Sequence, residues 1–278
     1  MAKVLIVGCG DLGTAIAERL QQMHEVIGLR VSDKLLPHGM QTIQADVTKP
    51  NMLKHLEKLS PDIIIYCVSA GGQTDEKYQA SYVAGLKNVL TTQIQNASLQ
   101  HVFFVSSTRV YGQITNDLLD ENTPAIPADF GGERLLEAEN ALKALPCKST
   151  SMRLSGIYGT GRLYLVNMSK DLSKWPQENH WSNRIHRDDA AAFIALMTNK
   201  VIQNQPVADC YIVTDSMPTK QYDVLKWLAE KQNVDVTNIR TPLATGGKRL
   251  SNRRMRETGF ELQYPNYQAG YTHILKTF

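Results

Sequence analysis

The stretch Lys3-Val4-Leu5-Ile6-Val7-Gly8-Cys9-Gly10-Asp11-Leu12-Gly13-Thr14 constrains the fold of this chain more than any other. Its short apolar run, rich in β-branched residues, reads as a buried strand. The run stops at a Gly-x-Gly-x-x-Gly turn and passes into Ala15-Ile16-Ala17-Glu18-Arg19-Leu20, which has helical spacing. In such a turn Gly8 permits the tight bend and Gly10 lets the backbone approach a pyrophosphate. Gly13 lets the helix lie close to the strand, and the unpaired N–H groups of the helix start face the anion. Three glycines at this spacing also occur in ordinary loops. Here a strand precedes them and a helix follows, which favours dinucleotide binding over a plain βα turn.

The rest of the composition excludes more than it assigns. With 278 residues the chain is long for one average domain and short for two. Its 42% hydrophobic and 21% charged residues are ordinary for a globular protein. Thirty basic and 27 acidic residues leave a formal charge of +3, which argues for neither nucleic acid nor membrane as a partner. The local run Lys248-Arg249 and Arg253-Arg254-Met255-Arg256 reads as a solvated face. Cys9, Cys67, Cys147 and Cys210 lie too far apart for a disulfide framework or a zinc site, so no metal is expected. A first strand beginning at residue 3 leaves no room for a signal peptide, and no apolar run reaches the ~20 residues needed to span a bilayer. The expectation is a cytoplasmic protein.

Further strands are read at 24–30, 41–47, 62–72, 101–107, 149–154 and 209–213. Helical patterns occupy 52–59, 75–97, 130–145, about 190–197 and 220–232. Continuous apolar runs such as Asp62-Ile63-Ile64-Ile65-Tyr66-Cys67-Val68 mark strands covered on both faces. Their alternation with helices predicts an α/β fold, a Rossmann-type doubly wound parallel sheet with a smaller C-terminal substrate lobe. The expected division is a dinucleotide-binding domain over 1–155, joined by a strand and helix at 207–232. A smaller lobe takes 156–206 and 233–278. Ligands in such sheets bind beyond the carboxyl ends of the strands, which groups Gly8, Arg30, Asp46, Ser69 and Ser106 around one crevice. Arg30, at the end of the second strand, can meet a 2′-phosphate and tilts the choice toward NADP over NAD.

At this point several collinear motifs resemble the extended and atypical short-chain dehydrogenase/reductase superfamily, the NAD-dependent epimerase/dehydratase group. They are Gly8-x-Gly10-x-x-Gly13, Asp46 in Ala-Asp-Val-Thr, Ser106-Ser107-Thr108-Arg109-Val110-Tyr111-Gly112, Arg153-Leu154-Ser155-Gly156-Ile157-Tyr158-Gly159, and Arg184-Ile185-His186-Arg187-Asp188-Asp189. The resemblance implies a pyrophosphate contact at Gly8, Gly10, Asp11, Leu12 and Gly13, and an adenine contact at Asp46 and Val47. It places Val68, Ser69, Ala70 and Ser106 along the nicotinamide side. Ser107 matches the family's catalytic Ser/Thr, and Arg184 and His186 fall where members often contact substrate. Family members often form homodimers by pairing two long helices, here 75–97 and 130–145.

One departure bears on the chemistry. The family's Tyr-x-x-x-Lys pair is here Phe130-Gly131-Gly132-Glu133-Arg134, so the acid/base tyrosine is missing. Arg134 supplies a permanent charge and a fork of donors that could hold the nicotinamide ribose. A literal Tyr222-x-x-x-Lys226 lies beyond the last strand and reads as a chance match. Substitute acid/base candidates are His186, whose ordinary pKa lies near 6.5, Glu133 and Tyr111. Two functions stay open: an NAD(P)-dependent oxidoreductase or epimerase acting on a small hydroxylated, carbonyl or nucleotide-sugar substrate, with Ser107, Arg134 and His186 in the chemistry; or a catalytically inactive dinucleotide sensor or regulatory partner.

Overall fold

Seven strands form one sheet: β1 (Lys3–Val7), β2 (Glu25–Arg30), β3 (Gln41–Gln44), β4 (Ile63–Tyr66), β5 (His101–Ser107), β6 (Lys148–Leu154) and β7 (Cys210–Val213). Their order across the sheet is β7-β6-β5-β4-β1-β2-β3, and every pairing from β3 through β5 is parallel. Residues Val4–Val7, Ile63–Tyr66 and Val102–Phe104 have no exposed surface, as strands covered on both faces require. The seven strands and the Rossmann-type α/β fold are those expected from the sequence. The strand order reverses between β1 and β4, the place where such sheets open a ligand crevice.

The computed structural model describes residues 1–277, which divide into two units. The first contains Met1–Gly112, Pro124–Arg153 and Ala190–Tyr211. Its helices are α1 (Asp11–Leu20), α2 (Asp75–Tyr78), α3 (Gly85–Thr91), α4 (Phe130–Leu142) and most of α5 (Arg187–Ile202). A π-helical turn, Gln79–Ala84, joins α2 to α3, so the expected 75–97 helix is widened in the middle and ends early. The Tyr66 hydroxyl donates to the Ser81 carbonyl inside that turn, and a polar group inserted against a helix backbone disturbs its i→i−4 ladder. The expected 52–59 helix is two 3₁₀ turns, Pro50–Met52 and Lys54–Lys58. Leu53, Leu56 and Leu59 recur every three residues, which suits 3.0 residues per turn better than 3.6.

The second unit takes Gln113–Thr123, Leu154–Asp189 and the chain from Ile212 onward. Strand Gly156–Tyr158 pairs in parallel with Arg184–His186, and Asn179–Ser182 sits between Thr219–Lys220 and Ala244–Gly247. Helix α6 (Gln221–Lys231) and helix α7 (Tyr267–Lys276) enclose two apolar cores. Val166, Val224, Leu228, Tyr271 and Ile274 form one, and Trp175, Tyr222, Leu225 and Ala229 form the other. The division differs from the expected one at residues 113–123, which fall in the second unit, and at two helices. Residues 190–202 join the first unit because Phe193 packs edge-on to Tyr211 at 5.2 Å and Asn199 bonds His24 at 2.8 Å. Residues 221–231 join the second because their apolar face is buried against Trp175 and Val166.

A buried polar network ties three elements of the first unit together. Arg153 on β6 makes a forked pair with Glu139 on α4, with its Nη2 2.6 Å from Oε2. Ser106 on β5 donates to the same carboxylate at 2.5 Å, and Arg153 donates to the Tyr111 hydroxyl at 2.6 Å. Removing one member of a buried pair leaves the other charge unsolvated. Glu139→Leu should therefore cost about 3–5 kcal/mol, and Glu139→Leu/Arg153→Met much less. Urea unfolding midpoints check this; equal losses in the single and double variants would contradict it.

Candidate active site

At the carboxyl end of β1 the chain turns through Gly8, whose φ of +97° is a conformation that L side chains rarely adopt. A Cβ here would also lie 2.6 Å from the Cys67 carbonyl, so the turn and the end of β4 meet only through glycine. A Cβ on Gly13 would lie 2.4 Å from the Gly8 oxygen, the close helix–strand approach expected of that position. Gly10 is exposed, caps α1 without a side-chain oxygen, and has open space where its Cβ would be. The first N–H groups of α1 thus meet no capping side chain at the crevice. Asp11 is exposed at the head of the helix and Leu12 is buried beneath it. Cys9 is buried behind the turn, and burial pushes its thiol up to about 12, which leaves it unreactive.

The other residues expected on the cofactor side follow the carboxyl ends of β2, β3, β4 and β5. Arg30 ends β2 and donates from Nε to the Ser32 hydroxyl at 2.9 Å. Asp46 follows β3. Burial would raise its pKa, but the Thr48 hydroxyl and N–H, at 2.7 and 2.9 Å, and Lys49 hold the carboxyl below its usual range. Val47 is buried, and its carbonyl accepts from Asn88 at 2.9 Å. Val68, Ser69 and Ala70 follow β4; Ser69 is exposed, and the Ala70 N–H donates to the Tyr82 hydroxyl at 3.4 Å. Ser106 is buried, with its hydroxyl turned to Glu139 rather than to the crevice. Ser107 is half-buried, and its Oγ accepts the Arg109 N–H at 3.2 Å.

The helix that begins at Phe130 is organised by residues the sequence reading passed over. Asp129 caps α4 by accepting the Gly132 N–H at 2.9 Å, and both its oxygens accept from Arg109 Nε, at 2.9 and 3.0 Å. Arg109 Nη1 then donates to the Tyr78 hydroxyl at 2.8 Å and to Gln73 Oε1 at 3.0 Å. Its guanidinium carbon lies 5.2 Å from the ring centres of both Tyr78 and Phe130. A Cβ on Gly131 would sit 2.4 Å from that carbon, so the arginine crosses the helix start only because residue 131 lacks a side chain. Two glycines in the first turn of a helix each cost about 1 kcal/mol relative to alanine. That cost was the one signal in the sequence that something lies across this turn.

Arg134 shares the helix with Phe130, but its fork is engaged. Nε and Nη2 bond both oxygens of Asp75 at 2.7 and 3.0 Å, and Nη1 bonds Glu137 at 2.8 Å. Glu133 is exposed. Tyr111 is fully buried and accepts from Arg153. Tyr222 donates to the Pro176 carbonyl at 2.6 Å and packs on Trp175, a core position, as the chance reading of Tyr222-x-x-x-Lys226 expects.

The second unit encloses its own polar cluster. His186 has no exposed surface; its ring stands edge-on to Tyr158 at 5.2 Å and 4.0 Å from Tyr264. Nδ1 accepts the Asp188 N–H at 3.2 Å. Burial pushes its pKa down to about 4 against the partial opposition of Asp188, so the imidazole is neutral at pH 7. Arg184 is buried, donates to Ser182 at 2.7 Å and stacks on Tyr267. Burial pushes Asp215 up to about 7, with Arg184 opposing.

These two shifts give opposite pH dependences. Between pH 6.5 and about 4 the unfolded chain protonates His186 and the folded chain does not, so stability falls as pH drops through that window. Between pH 3.8 and about 7 the folded chain keeps Asp215 protonated and the unfolded chain does not, so stability falls as pH rises. His186→Phe should remove the first loss and Asp215→Asn the second. Melting temperatures recorded from pH 4 to pH 7.5 check both.

A family profile described as NAD dependent epimerase/dehydratase matches residues 4–210. A solved structure from Methylobacillus flagellatus, provisionally named an NAD-dependent epimerase/dehydratase, is 47% identical with a TM-score of 0.91, covering 99% of this chain and 98% of that one. The Thermus thermophilus UDP-glucose 4-epimerase in complex with NAD is 18% identical, with a TM-score of 0.77 and 96% of each chain covered. The Bordetella bronchiseptica enzyme WbmG in complex with NAD and UDP is 16% identical, with a TM-score of 0.79, covering 99% of this chain and 94% of that one. At those identities the likeness is one of fold. A comparison with curated proteins found no match. No helix among the described residues is long and apolar enough to cross a membrane.

Proposed function

The chain belongs to the NAD-dependent epimerase/dehydratase family, and on that premise we propose that it binds a nicotinamide dinucleotide and oxidises, reduces or epimerises a small hydroxylated or carbonyl substrate of the nucleotide-sugar class. The observation that carries the reading is the Gly8–Gly13 cradle. Side chains are excluded at Gly8 and Gly13 by backbone within 2.6 Å, while Gly10 faces open space above the uncapped start of α1. That combination fits a pyrophosphate lying against backbone N–H groups. When bound, the dinucleotide would supply or accept the hydride.

The chain's own residues would do the rest. Asp46 and Val47 border the adenine end, and Val68, Ser69 and Ala70 the nicotinamide end. Ser107, its Oγ already accepting one N–H, retains its own proton to donate to a substrate oxygen. Arg134 serves by fixing Asp75 at the head of α2, through a planar two-bond pair. His186, buried and neutral, serves packing. The UDP complex of the Bordetella enzyme supports a nucleotide-sugar substrate. Arg30 favours NADP, since its guanidinium stands at the end of β2 where a 2′-phosphate would lie.

Phe130, with no proton to exchange, favours a second reading, a dinucleotide sensor without turnover. Fluorescence titration followed by a turnover screen with UDP-hexoses and their 4-keto forms separates the two. Gly10→Glu should weaken dinucleotide binding at least about tenfold without lowering the melting temperature, because the added carboxylate has room but repels phosphate. Arg30→Glu should cost NADPH about tenfold more affinity than NADH. Unchanged binding by Gly10→Glu would refute the cradle.

A further inference from the structure

The hydroxyl missing from position 130 has a neighbour. Tyr78, on α2, stands edge-on to the Phe130 ring with centres 5.4 Å apart at 89°. Arg109 lies against both rings, equidistant at 5.2 Å, and its Nη1 donates to the Tyr78 oxygen. That bond uses a lone pair of the phenol, and the phenol, buried at 6% exposure, donates its own proton to Gln73 Oε1 at 3.1 Å. Arg109 begins two residues after Ser107, whose Oγ accepts its N–H. A tyrosine hydroxyl and a guanidinium therefore meet beside the start of α4, and Ser107, at the end of β5, accepts the backbone N–H of the same arginine.

The neighbouring tyrosines are held by other groups than Arg109. Tyr66 donates into the helix backbone at Ser81. Tyr111 is bound to Arg153. Tyr82 accepts from Ala70, and burial pushes its phenol up. Only Tyr78 is held by a cation that is itself anchored, through Asp129, to the cap of the helix bearing Phe130.

We propose that Tyr78 is the acid/base of this site, replacing the hydroxyl lost at Phe130, with Arg109 and Gln73 as its positioning residues. The inference rests on the oxidoreductase reading above. In the reductive direction, hydride reaches the carbonyl carbon and the carbonyl π pair takes the Tyr78 proton. The phenolate that remains is bonded by Arg109 Nη1 and regains a proton from water at the exposed Gln73 side. In the oxidative direction the same proton returns to Tyr78 as hydride leaves the carbinol carbon.

The test uses the full chain, with NADH and NADPH binding measured first and then reduction of UDP-4-keto-hexose and of 4-nitrobenzaldehyde as a general carbonyl probe. Tyr78→Phe should keep dinucleotide affinity within about twofold and lower kcat at least about 100-fold, with the solvent deuterium isotope effect lost. Phe130→Tyr added to Tyr78→Phe should restore at least about tenfold, a rescue that a packing role for Tyr78 would not allow. Tyr78→Phe retaining kcat within threefold, or tight dinucleotide binding without turnover by the unaltered chain, would overturn the inference. No binding of either dinucleotide would overturn the oxidoreductase reading itself, and the order of measurements keeps the two failures apart.

Discussion

The forked ion pair between Glu139 and Arg153 is the interaction on which the arrangement of the first unit depends. Both side chains are nearly buried, so each needs the other, and a misplaced partner would cost several kcal/mol. The pair joins α4 to β6, and Ser106 brings in the end of β5. Once α4 is held there, its first turn must start beside the segment that follows β5. Phe130, Gly131 and Arg109 then meet as a consequence of that placement.

From this start the site is assembled by charge at one end and by the absence of side chains at the other. At the β1–α1 turn, glycines admit backbone where a side chain would collide, leaving N–H groups and open space. At the α4 start, Gly131 admits a guanidinium instead. Arg109 is held by Asp129, and in turn holds Tyr78 and Gln73. A helix cap, a cation and a phenol thereby form one connected set. The Phe130 ring is an aromatic wall on which that set packs.

Much of the fold was legible because parallel strands buried on both faces must be nearly all apolar. The runs at 3–7, 63–66 and 101–107 carry that mark without ambiguity. The departures fall where an α-helix gives way to another helical form. The hydroxyl of Tyr66 widens the helix after Gln79, and leucines spaced by three tighten the segment after Pro50. The glycine cradle was legible for the same local reason, since strand, turn and helix are contiguous. His186 was not, because its burial among Tyr158 and Tyr264 depends on residues about 30 and 80 positions away.

By itself the sequence determined the strand–turn–helix that opens the chain, the alternation that follows it, and a phenylalanine, with no proton to exchange, at position 130. These are statements about neighbours along the chain or about one residue's chemistry. Only the tertiary structure decided that Arg134 is spent on Asp75, that His186 is neutral and enclosed, and that Tyr78 stands against Phe130. Each depends on side chains brought together across 28 to 78 residues of chain. Periodicity reports which face of an element is buried, and says nothing of which charge will be waiting there.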